Sequence, residues 1–124
     1  MRRIIPLIAL FASIAGCTSV GEMRSAQPMA TFTSEKSPQD VASCIRDEWN
    51  EVRIGGSLWK ATMEPRGAGY QVSTSEGVPS EFVDVVPRAA SSGATVNFYG
   101  RRLMIREKHY IAATSKCADR AQAR

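Results

Sequence analysis

Trp59-Lys60-Ala61-Thr62-Met63-Glu64, then Pro65-Arg66-Gly67-Ala68-Gly69, then Tyr70-Gln71-Val72-Ser73-Thr74 carry the clearest short period in the chain. Trp59, Ala61 and Met63 alternate with Lys60, Thr62 and Glu64, and Tyr70, Val72 and Thr74 alternate with Gln71, Ser73 and Ser75. A period of two puts successive side chains on opposite faces of a strand. The glycine-rich link between the two runs reads as a hairpin turn. It follows no phosphate-loop spacing.

Moving toward the C-terminus, Phe82 to Val86 reads as a third strand stopped by Pro87, and Ala94 to Tyr99 as a fourth stopped by Gly100. Their short connections predict an antiparallel meander. A helix is expected beyond it, from Leu103 to Ala121. Leu103, Tyr110, Thr114, Cys117 and Ala121 share one of its faces, widened by Ile111 and Ala118. On the N-terminal side, Ser37 is a good N-cap, Pro38 suits the first helical position and Asp40 complements the helix N-terminus. Val41, Ile45 and Trp49 then recur every four residues with Cys44 beside them, and the helix gives out between Asn50 and Gly56. The expected fold is α+β, a two-layer α-β-β-β-β-α arrangement. It has a four-stranded antiparallel meander and both helices on one face, spanning residues 37–124 as a single domain.

Residues 18–36 are rich in Ser, Thr, Ala and Gly, include Pro28 and show no sustained period. They are expected to be a flexible tether with a reach on the order of 25 Å. Ahead of them, Arg2-Arg3 and the apolar run Ile4 to Ala12 are too short together to span a bilayer, which takes about 20 residues. They have the layout of a cleaved signal peptide over residues 1–16. A buried N-terminal helix fits less well, given the basic start and the polar stretch that follows.

Ile14-Ala15-Gly16-Cys17 resembles the lipobox of bacterial lipoproteins, a branched aliphatic and two small residues before the modified cysteine. Ile14 stands where that family prefers leucine. The resemblance covers about 20 residues of leader and implies cleavage before Cys17, a diacylglyceryl group on its sulfur and acylation of the new N-terminus. Two or more chains at about 0.8 kcal/mol per buried methylene anchor a protein stably. Residues 17–36 then form the lipidated cysteine and its tether. Thr18 in place of the Asp that retains such proteins at the inner membrane favours the outer membrane, facing the periplasm.

Three cysteines are an odd count for an exported chain. Lipid on Cys17 resolves it and leaves Cys44 and Cys117 to pair, as the oxidising periplasm permits. A metal pair or a nucleophilic cysteine is the rival reading, but His109 is the sole histidine and there is no CxxC. Neither a metal nor a cofactor is expected.

Sixteen basic against twelve acidic side chains give a formal charge of +4. Arg2 and Arg3 belong to the leader, so the mature chain carries +2, too little to argue for nucleic acid. His109 falls in the charged run Arg106-Glu107-Lys108-His109, with no nucleophile elbow to make a triad, and reads as a surface residue. Asp47, Glu48 and Glu51 lack calcium-loop spacing and read as a solvated helix face. Asp84 shares a strand face with Phe82 and Val86, and needs a partner such as Arg101 or Arg102 if that face is buried. Arg101, Arg102, Arg106 and Lys108 form the densest basic stretch, which reads either as a solvated run or as a contact for lipid phosphates or anionic glycan, with Arg101, Arg102 and Arg106 the candidate partner contacts. The expected function is a non-enzymatic envelope lipoprotein, an accessory or binding module whose partners are the membrane, through lipid on Cys17, and an envelope protein or glycan. Its contact surface would be the open sheet face or the strand edges. The alternative is an inhibitor or immunity lipoprotein acting on a periplasmic toxin or cell-wall hydrolase through the Gly67–Gly69 hairpin or the Ser91–Gly93 loop.

Overall fold

A computed structural model describes residues 19–74, 79–102 and 105–122. The residues expected to form a leader, Cys17, Ser75 and Leu103 lie outside them. The helix expected after Ser37 is present as Pro38–Trp49, here α2. The Ser37 hydroxyl accepts the Asp40 N–H at 3.2 Å, and Pro38 opens the first turn without a donor to waste. Val41, Ala42, Ile45 and Trp49 are fully buried, so the four-residue stripe is the inward face. Asn50 closes the helix, and its side-chain oxygen accepts the Ala61 N–H at 2.8 Å, pinning the chain where the sheet begins.

The meander is also present, as β2 (Ala61–Arg66), β3 (Gly69–Thr74), β4 (Glu81–Pro87) and β5 (Ala94–Gly100), each antiparallel to the next. Gly67 turns the first hairpin at φ +56°, where a side chain is disfavoured. The sheet, however, has six strands rather than four. β1 (Ala30–Ser34) and the three-residue β6 (Arg120–Gln122) extend it to the order β2-β3-β4-β5-β1-β6.

β1 corrects the expectation of a tether over residues 18–36. Ala30-Thr31-Phe32-Thr33-Ser34 pairs with β5, Phe32 opposite Val96, and sinks Phe32 into the core at 3% exposure. The Thr-rich composition that read as loop is also strand-forming, and one aromatic supplies the buried face. Gly93 lets β1 approach, because any Cβ there would strike the Ser34 carbonyl. Ahead of β1, Val20–Ser25 forms a short helix, α1. Its capping box has the Ser19 hydroxyl accept the Glu22 N–H while the Glu22 carboxylate accepts the Ser19 N–H. Among the described residues, folded structure is therefore present from Ser19 onward, well ahead of residue 37.

The last helix, α3 (Arg106–Ser115), is shorter than expected and stops before Cys117. The Asp119 N–H bonds to the Thr33 carbonyl at 3.0 Å, and the Asp119 carboxylate accepts the Glu35 N–H at 2.7 Å. The chain then pairs along β1, with Ala121 opposite Phe32. Cys117 thus sits in the turn after α3, and Ala121 is in a strand rather than on a helix stripe. The disulfide Cys44–Cys117 is nonetheless formed, with Cα atoms 5.8 Å apart.

The core lies between α2, α3 and one face of the sheet. Trp49 meets Phe98 and Tyr110 edge-on, at centroid distances of 6.0 and 4.8 Å, and its indole N–H donates to the Thr114 hydroxyl at 3.0 Å. Val72, Val83, Val85 and Val96 complete it. The opposite face was expected to be open. Instead α1 packs there through Met23 against Phe82 and Tyr99, forming a small second cluster.

Candidate functional site

Alternation along β4 sends Val83 and Val85 toward the helices and Phe82 and Asp84 toward α1. The Arg24 guanidinium of α1 grips Asp84 with two hydrogen bonds, Nε at 2.7 Å and Nη2 at 2.8 Å, and Nη2 also donates to Gln71. Both side chains of the pair are more than four-fifths buried, at 17% and 13% exposure. Asp84 therefore does have a cationic partner, but from α1 rather than from Arg101 or Arg102. Arg66 approaches the same carboxylate at 3.9 Å. Arg24 also lies over the Phe82 ring, 4.8 Å from its centroid, and Phe82 stacks on Tyr99 at 5.0 Å. Burial raises the Tyr99 pKa above its usual value and Asp84 adds to the rise, partly offset by Arg24 and Arg66.

Beside this cluster is a cleft of about 160 Å³ between α1 and the end of β5, lined by Glu22, Met23, Tyr99, Arg101 and Arg102 among others. Arg101 and Arg102 are exposed. Arg102 holds φ at +60°, uncommon for a side-chain-bearing residue, and donates to the Gln27 carbonyl at 3.2 Å.

Arg106 does not belong to that surface, which corrects the reading of one basic stretch. Its Nη2 bonds the Glu81 carboxylate at 2.9 Å, with Glu81 wholly buried, and its guanidinium lies 4.0 Å from the Trp59 ring centroid. Glu107 is buried beside it, with its side chain over Gly100. A charged run on a helix of mixed polarity gives no sign of which members turn inward. Here Arg106 and Glu107 do, while Lys108 and His109 remain exposed.

The third arrangement joins residues that the sequence presents separately. Glu48 and Glu51 near the end of α2 face Lys108, His109 and Lys116 of α3 and its cap across a groove of about 290 Å³. Lys116 approaches Glu48 at 3.6 Å. Asp47 is exposed and pairs with its neighbour Arg46 instead. The groove mixes both signs of charge and offers polar contact, with no Ser, Thr or Cys among its lining residues.

The chain matches no protein family, no curated protein and no solved structure. Among the described residues, no group of three or more His, Cys, Asp or Glu is placed to hold a metal ion, and no helix is long and apolar enough to cross a membrane. At the α1 end of the sheet, the exposed Arg101 and Arg102 rim the cleft.

Proposed function

We propose that this chain is a bacterial envelope lipoprotein, anchored through lipid on Cys17 and acting as a non-enzymatic accessory or binding module at the periplasmic face of the outer membrane. The observation that carries this reading is the pairing of Cys44 with Cys117. Their disulfide suits an oxidising compartment and leaves one cysteine over, at the end of Ile14-Ala15-Gly16-Cys17. The module works by contact: the mixed-charge groove between α2 and α3 presents polar groups to an envelope protein or glycan.

Labelled fatty acid supplied to cells expressing the full chain tests the anchor. The wild-type protein is expected to take up label and fractionate with membranes, and Cys17→Ser to lose both. A wild-type protein without label, together with a Cys17→Ser protein still in the membrane fraction, refutes the lipoprotein reading. For the non-enzymatic part, the purified protein is expected to leave peptidoglycan and phospholipid uncleaved. Hydrolysis abolished by His109→Ala would overturn that half.

A further inference from the structure

We infer that the α1 end of the folded domain lies directly on the membrane and contacts anionic phospholipid headgroups through Arg101 and Arg102, with Ile105 entering the interface. The inference rests on the lipid anchor at Cys17 and adds how the domain stands on it. Only Thr18 separates Cys17 from Ser19, the N-cap of α1, so the two Cα atoms lie within about 7 Å of each other whatever the backbone does between them. Helix α1 adds about 9 Å along its axis. The chain then reaches Met29, whose N–H bonds the Phe98 carbonyl near the end of β5. No slack remains in which the domain could float free of the bilayer.

The antiparallel register sets which end faces the lipid. Ala30 opens β1 opposite Phe98, where β5 runs on to Gly100, and the start of α1 lies at that same end, with Val20 against Phe82 and Tyr99 and Glu22 in the cleft with Arg101 and Arg102. Arg101 and Arg102 follow immediately and are exposed, with Arg102 held on the Gln27 carbonyl just beyond α1. Two further arginines at this end are turned into the protein, Arg24 to Asp84 and Arg106 to Glu81. Ile105 precedes α3 at 70% exposure, the most exposed large hydrophobic residue among those described. Basic residues interleaved with an unburied aliphatic suit a phospholipid interface, where cations meet phosphates and the alkyl group leaves water. Glu22 shares the cleft and is the one carboxylate among its lining residues, leaving them net positive with the two arginines.

The test uses the mature lipidated protein in vesicles of phosphatidylcholine, with or without phosphatidylglycerol. Amide hydrogen exchange is read at 19–27, 99–102 and 105–108. Exchange there is expected to slow by at least roughly five-fold when phosphatidylglycerol is present, the effect of one basic residue near a charged surface, and to recover in high salt. Arg101→Gln with Arg102→Gln should restore the rates seen in neutral vesicles. Ile105→Ser should reduce protection in both compositions. Arg88→Gln, beyond the far end of the sheet, should change nothing. An acylated, vesicle-bound protein whose exchange ignores lipid charge and the arginine substitutions overturns the inference while the lipoprotein reading stands. A protein that carries no acyl chain and stays out of the vesicles overturns both.

Discussion

Asp84 is placed by strand alternation on the face away from α2 and α3, where a carboxylate would ordinarily meet water. Once α1 covers that face, the charge is stripped of solvent and Arg24 supplies the replacement hydrogen bonds. Removing one partner of such a pair leaves the other buried and uncompensated. Arg24→Ala is expected to destabilise the protein by about 2–3 kcal/mol, the worth of hydrogen bonds to a charged group. The double-mutant cycle with Asp84→Ala should return a coupling above about 1 kcal/mol, measured by denaturant unfolding. A coupling near zero would mean that α1 does not hold the second sheet face. Arg106 and Glu81 repeat the lesson on the other side of the sheet. In both cases the residue types were plain, and the partner became evident only when distant segments met: Arg24 and Asp84 are 60 positions apart.

Among the elements, β1 was the one least legible. Its five residues sit inside a Ser- and Thr-rich stretch, and a period of two over so short a run is easily lost. Strand pairing is nonlocal, so what fixes Ala30–Ser34 as a strand is its partner β5, sixty or more positions away. Phe32→Ala checks the assignment. Truncating a buried phenylalanine costs about 3–5 kcal/mol, whereas the same change in a tether costs almost nothing. The midpoint of chemical denaturation distinguishes the two. The last helix failed in a related way. Its stripe of Tyr110, Thr114 and Cys117 continues on paper to Ala121, but Asp119 finds Thr33 and Glu35, and Arg120–Gln122 pairs along β1 as an edge strand instead. Helix α2 was legible almost to the residue because cap, first-turn proline and apolar stripe are all local signals.

Across the whole molecule, the Cys44–Cys117 bridge ties α2 to the turn after α3 and closes a loop of 73 residues. Loop-closure entropy gives that cross-link a worth of about 4 kcal/mol, comparable to the entire stability of many small domains. Cys44→Ser with Cys117→Ser is expected to lower the melting temperature by tens of degrees or prevent folding, read by thermal unfolding with and without reductant. A wild-type protein indifferent to reductant would show that packing alone holds the two helices. The residues alone specify the hairpins of the meander and the start and inward face of α2, and the cysteine count allows the pair that Cys44 and Cys117 form. These rest on periods, caps and counts that are properties of neighbouring residues. The six-strand order, the covering of the second face by α1, the burial of Arg106 and Glu107 and the meeting of Glu48 with Lys116 arise only in the folded chain. Each depends on surfaces brought together across many positions, where burial and pairing outweigh the local preference of any one segment.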